Sequence, residues 1–160
     1  MGFNTKKIRV MIVDDSMLAR RIIQNGLSRY PNIEVVGEAF NAMDARKKLP
    51  ILNPDVMTLD VEMPGMNGID FVKEILPIHP IPIILVSSLN LRVFDAMAVG
   101  AVDFVRKPDG TEGNDRFIEA LANKIVVASC ARVRRSPLRP VASNNRIASL
   151  PLKMGVAPTD

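Results

Sequence analysis

The chain alternates short apolar runs with stretches in which apolar residues recur every three or four positions. Ile8–Val13 is apolar except for Arg9, the pattern of a strand buried on both faces of a parallel sheet. Asp14-Asp15-Ser16 interrupts it and offers Ser16 as an N-cap; Leu18, Ile22, Ile23 and Leu27 then repeat at helical spacing up to Tyr30-Pro31. Glu34–Ala39 predicts a second strand, and Ala42–Leu52 a second helix with Pro50 near its end. Asp55–Leu59 predicts a third strand, stopping at Asp60 before the turn Pro64-Gly65-Met66-Asn67-Gly68. Ile69, Phe71, Val72, Ile75 and Leu76 give a third helix, and Pro82–Val86 a fourth strand ending at Ser87-Ser88. Leu91–Val99 predicts a fourth helix closed by Gly100, and Val102–Val105 a fifth strand ending before Arg106-Lys107-Pro108. Ile118, Leu121, Ile125 and Val126 carry a last helix to about Ala131. Strands and helices thus alternate five times. With right-handed crossovers, that predicts an α/β fold: a five-stranded parallel sheet with five helices distributed over both faces.

Composition narrows the classes. Of 160 residues, 48% are hydrophobic and 24% charged, and the apolar runs are strand-sized, far below the ~20 residues of a membrane span. No signal-peptide-like apolar stretch follows the first residues, which leads us to expect a cytoplasmic protein. Cys130 is the only cysteine, which excludes an intrachain disulfide framework. The formal charge of +4 is unevenly spread. Residues 132–160 hold six of the 21 basic side chains and one of the 17 acids, leaving 15 basic and 16 acidic side chains in residues 1–131. The body is near neutral, and the basic stretch, with four prolines, reads as a linker or disordered tail. We therefore expect a domain over residues 1–131 and a tail over 132–160, with nucleic acid an unlikely partner.

The polar residues fall at the carboxyl ends of the strands, where an open α/β sheet binds its ligands. Asp14 and Asp15 end the first strand, Asp60 the third and Ser87 the fourth, and Lys107 follows the fifth. Should the first and third strands be neighbours, three carboxylates converge. Such a group repels itself unless a cation neutralises it, and hard oxygen ligands with room for water favour Mg²⁺. A lysine ammonium suits a phosphate oxygen, and a serine hydroxyl can donate to the same group. Together these parts describe phosphoryl transfer onto an aspartate. The only histidine, His79, precedes the fourth strand at the opposite end of the sheet and cannot serve as a base there.

Val13-Asp14-Asp15-Ser16, Leu59–Gly68, Val86-Ser87-Ser88 and Lys107-Pro108 together resemble the signature of response-regulator receiver domains over residues 7–130. The resemblance implies a flavodoxin-like doubly wound sheet of order 2-1-3-4-5. It implies Asp60 as phosphoacceptor for a histidine kinase and Asp14 with Asp15 as the acidic pocket. Mg²⁺ would be held by Asp15, Asp60 and the backbone carbonyl of Glu62. Ser87 would be the switch hydroxyl, Phe104 the switch aromatic, and Lys107 the phosphate contact, through a cis Lys107–Pro108 bond. Thr58–Pro64, Ile84–Leu89 and Gly100–Val105 are further similar to the regulatory half of chemotaxis protein-glutamate methylesterases. There a receiver and linker precede a hydrolase domain, which would be a partner in cis. Gly-x-Ser-x-Gly is absent from this chain, so only phosphorylation and dephosphorylation chemistry is expected of it. Alternatives are a stand-alone receiver, a receiver with another output, and a Mg²⁺-dependent aspartyl-phosphate phosphatase. Glu62 has the spacing of the phosphatase's general acid, but no segment is long enough for a substrate cap.

Overall fold

Parallel ladders join the five strands in the order β2-β1-β3-β4-β5, seen in a computed structural model describing residues 6–63, 65, 67–88, 97, 98, 100–108 and 113–135, the last five by backbone alone. The strands are β1 (Ile8–Val13), β2 (Ile33–Ala39), β3 (Val56–Asp60), β4 (Ile83–Ser87) and β5 (Asp103–Arg106). The helices are α1 (Met17–Leu27), α2 (Ala42–Leu52), α3 (Gly68–Ile75) and α4 (Asp115–Arg135). The described residues up to 129 form one compact unit.

β2 begins one residue earlier than expected and β3, β4 and β5 each lie one residue later, and for the starts of β3 and β4 the local cause is visible. Asp55 precedes β3 because its carboxylate accepts from the Arg9 N–H (2.9 Å) while its own N–H donates to the Arg9 carbonyl (2.8 Å). Pro82 has no N–H to give, so β4 begins at Ile83, although the Pro82 carbonyl still accepts from Met57 (3.0 Å). Four helices occur among the described residues, against five expected. Most of the expected Leu91–Val99 helix lies outside them. Met97 and Ala98 are helical, and Gly100, at φ +119°, closes them with an N–H to the Met97 carbonyl. Pro64 and Met66, and the tail beyond residue 135, also lie outside the described residues.

Strand alternation splits the core into two layers. Met11, Val13, Met57, Leu59, Ile83 and Leu85 pack with α2 and α3, where Phe71 and Leu49 are fully buried. Val10, Ile12, Val56, Ile84 and Val86 pack with α1 and α4 through Ile23, Leu27, Leu121 and Ile125. Each such Leu, Ile or Phe contributes about 1.5–3 kcal/mol by leaving water. With both faces covered by apolar side chains, polar groups gather at the strand ends.

Side-chain caps start the helices where the sequence has Ser or Asn. Ser16 accepts from the Ala19 N–H (3.1 Å), Asn41 from Asp44 (2.7 Å) and Asn67 from Asp70 (2.9 Å). These caps fix the exit of the chain from β1, β2 and β3, the rim on which the polar residues sit.

Candidate functional site

β1 and β3 are adjacent, with Val13 opposite Leu59, so their carboxyl ends lie side by side. Asp14 is buried (1% exposed) in the first turn after β1. Its N–H donates to the Ala39 carbonyl (3.1 Å), and its Oδ1 accepts from the Ser16 N–H (2.9 Å). Asp15, the next residue, is exposed. Asp60 closes β3 at 2% exposure, and its Oδ1 accepts from the Glu62 N–H (3.2 Å). Asp14, Asp15 and Asp60 each offer an oxygen within 4.8 Å of the others.

Lys107 completes the group from beyond β5. Its N–H donates to the Ser87 carbonyl (2.9 Å), and its Nζ lies 3.1 Å from Asp14 Oδ2 and 3.3 Å from Asp60 Oδ1. The expected cis Lys107–Pro108 bond is not found; no peptide among the described residues is cis. Trans is the favoured X–Pro isomer by about 0.5–1 kcal/mol, and with it the ammonium already reaches both carboxylates.

The electrostatics follow from this packing. Burial removes water from Asp60 and the Asp14 charge opposes its ionisation, which together lift its pKa from an ordinary 3.8 to about 7, against the pull of Lys107 and the Glu62 N–H. Burial alone would depress Lys107, but Asp60 and Asp14 outweigh it and hold the ammonium above its usual range. Three carboxylates and one ammonium leave a deficit of two positive charges when all are ionised. A hard divalent cation answers both that deficit and the all-oxygen donor set. The three carboxylates each offer an oxygen close enough to the others for one such ion to be shared among them.

Ser87 is buried (3% exposed) at the end of β4. Its hydroxyl donates to Glu62 Oε2, while Glu62 Oε1 accepts from the Ser88 hydroxyl (3.3 Å) and N–H (3.5 Å). The Glu62 carboxylate therefore joins the loop after β3 to the end of β4, a role its sequence position did not disclose. Phe104 is half-buried, pairs with Leu85 in the ladder and packs on the α2–α3 layer rather than on the carboxylates. Gly68 bounds the site from below. A Cβ there would stand 2.8 Å from the Val61 Cα and 2.9 Å from the Asp60 carbonyl, so only glycine lets α3 start this close to β3. His79 follows α3, at the other end of the sheet, as expected.

Comparison with known proteins bears on the family and the fold. The family model for the response regulator receiver domain matches residues 10–120. The chain is 47% identical over 132 residues to protein-glutamate methylesterase/protein-glutamine glutaminase 2 of Syntrophomonas wolfei, covering 81% of this chain and 39% of that protein. It therefore spans about two fifths of that relative's length. Among solved structures, the response regulator domain of Thermotoga maritima CheB is 37% identical, with a TM-score of 0.72, over 78% of this chain and 98% of that one. A complex of the P1 domain of CheA3 with CheY6 from R. sphaeroides matches at 30% identity and a TM-score of 0.67, covering 78% and 98%. A sheet of order 2-1-3-4-5 whose strand ends gather three acids and a lysine, in a chain matched by this family model over more than half its length, belongs to the response regulator receiver domain family.

Proposed function

We propose that this receiver is a phosphorylation switch that accepts a phosphoryl group on Asp60 from a histidine kinase. The observation that carries the reading is the meeting of Asp14, Asp15 and Asp60 within 4.8 Å, with Lys107 paired to two of them. An Asp60 carboxylate oxygen attacks phosphorus, a P–O bond forms, and the P–N bond to the kinase histidine breaks with its electron pair leaving on the imidazole. Asp15, Asp60 and the Glu62 carbonyl would hold Mg²⁺, with Asp14 completing the acidic pocket; the ion supplies charge neutralisation at the transferring phosphoryl group. Lys107 balances charge on a phosphoryl oxygen, and Ser87 is the hydroxyl that turns to it. Turning requires Ser87 to leave Glu62, which couples the phosphoryl group to the end of β4. Phe104, packed beside β4, is the aromatic that follows this rearrangement.

A chemotaxis-type kinase domain fits the rim beside the site. Met17 and Leu18 are 60% and 71% exposed at the start of α1. A cavity of about 320 Å³ lined by Leu18, Ile22, Lys107, Pro108 and Phe117 opens next to them. The similarity to methylesterases supports a regulatory role over such a hydrolase in cis, joined through residues 132–160, with residues 1–131 as the receiver domain. No described helix is long and apolar enough to cross a membrane, and a cytoplasmic location accords with a kinase partner of this kind.

The test is phosphorylation by acetyl phosphate or a chemotaxis kinase, with Mg²⁺, of the wild-type chain and Asp60→Asn. Label on the wild type alone is expected. Equal label on Asp60→Asn overturns the site assignment.

A further inference from the structure

Besides Lys107, a second cation holds the acidic loop, this one from α1. Arg20, the fourth residue of α1, donates from a terminal guanidinium nitrogen to the Asp14 carbonyl (2.7 Å) and from Nε to Glu38 Oε1 on β2 (3.0 Å). Its side chain is only 15% exposed, so these bonds are partly shielded from water. Glu38 is anchored in turn: its carbonyl accepts from Lys48 Nζ (2.7 Å), which also reaches Asp44 (3.0 Å). Asp14 is thereby fixed at four points, by Ala39 at its N–H, Ser16 and Lys107 at its carboxylate and Arg20 at its carbonyl.

A β-bulge makes the Glu38 contact possible. β2 pairs Val35 with Val10 and then Gly37 with Met11, skipping Val36. Before the bulge, Ile33 and Val35 face the α1–α4 layer. After it the alternation has shifted by one: a Cβ on Gly37 would meet Leu52 of α2, and Ala39 joins the α2–α3 layer. Glu38, three residues after Val35, consequently faces α1 again, where Arg20 stands. Were the same residues paired in a regular strand, Glu38 would sit on the α2 face. Bulges near functional sites commonly re-aim a side chain in this way.

We propose that Arg20, aimed by Glu38, is a positioning residue for divalent-cation binding: it fixes the Asp14 carbonyl and with it the spacing at which Asp14 and Asp15 present their oxygens. The inference rests on the reading of the acidic pocket as the cation site. Removing a group that orients ligands of a metal costs roughly 10–100-fold in affinity. Coulomb's law alone gives the opposite sign here, since deleting a cation near the pocket strengthens the attraction for Mg²⁺. The two effects are therefore separable by direction.

Mg²⁺ binding to the full chain, measured by isothermal titration calorimetry without any phosphodonor, makes the test, alongside urea denaturation in EDTA. Arg20→Gln is expected to weaken Mg²⁺ about tenfold, and Arg20→Lys, which keeps the charge but loses the two-pronged geometry, to weaken it less. The Arg20→Glu/Glu38→Arg double variant restores the ion pair but not the carbonyl contact, and should remain weak. Should Arg20→Gln fail to fold, Arg20→Lys and the double variant still decide. Folded variants whose Mg²⁺ affinity equals or exceeds that of the wild type overturn the proposal. Loss of binding in Asp15→Asn with unchanged binding in Arg20→Gln refutes this inference alone; no Mg²⁺ binding by the wild type refutes the site reading beneath it.

Discussion

Replacing Asp60 by asparagine should stabilise the cation-free protein, by an amount that depends on pH. In the fold Asp60 holds its proton up to about pH 7, because burial and the Asp14 charge disfavour ionisation; in the unfolded chain it releases it near 3.8. Below pH 3.8 both states are protonated and the residue contributes no pH-dependent term. Between 3.8 and 7 the unfolded state binds fewer protons than the folded one, so stability falls as pH rises; above 7 the penalty is complete. A shift of about three units at 1.36 kcal/mol each sets a ceiling of about 4 kcal/mol. Relaxation and water entering the pocket reduce this, and about 2 kcal/mol is the expected difference at pH 8. Asparagine keeps the volume and can still accept the Glu62 N–H. Urea unfolding in EDTA at several pH values isolates the effect as the difference between the two curves. They should coincide near pH 4 and separate through pH 7, with Asp60→Asn the more stable. Saturating Mg²⁺ should reverse the order, since ligand at a hundredfold excess over its Kd adds about 2.7 kcal/mol to the protein that binds it. Parallel curves, or a variant less stable at pH 8 in EDTA, would refute the electrostatic picture of the pocket.

Glu62→Gln removes the charge that engages Ser87 and Ser88, worth about 1 kcal/mol for a charge-assisted over a neutral hydrogen bond. The phosphorylated fraction at limiting donor, resolved on Phos-tag gels, should rise roughly fivefold in equilibrium terms. Gly68→Ala forces a methyl against the Val61 and Asp60 backbone, and urea denaturation should register a loss of about 2–4 kcal/mol together with weaker Mg²⁺ binding. Thr58 is buried with a hydroxyl that finds no hydrogen bond, so Thr58→Val should raise stability by about 1 kcal/mol in the same assay; a loss would mean the hydroxyl has a partner, such as a bound water.

The sheet was legible because apolar strand runs and amphipathic helices differ in period, and because each acid or serine breaks its apolar run at the strand's carboxyl end. That same register carried Asp14, Asp60, Ser87 and Lys107 to one rim. What escaped depends on contacts between distant residues. The Glu62 carboxylate meets Ser87 only because β3 and β4 are paired, and Arg20 meets Glu38 only because β2 bulges. Gly37 inside a strand was the one local sign of that bulge. The cis bond at Pro108 was inferred from resemblance and is corrected by the backbone itself.

Chemical trapping tests the phosphoacceptor most directly. Borohydride reduces an aspartyl phosphate to homoserine, which peptide mass spectrometry then locates after phosphorylation with and without Mg²⁺. Homoserine at position 60 alone, and only where Mg²⁺ was present, is the expected result. Homoserine at Asp14 or Asp15, or equal conversion at position 60 in EDTA, would contradict it.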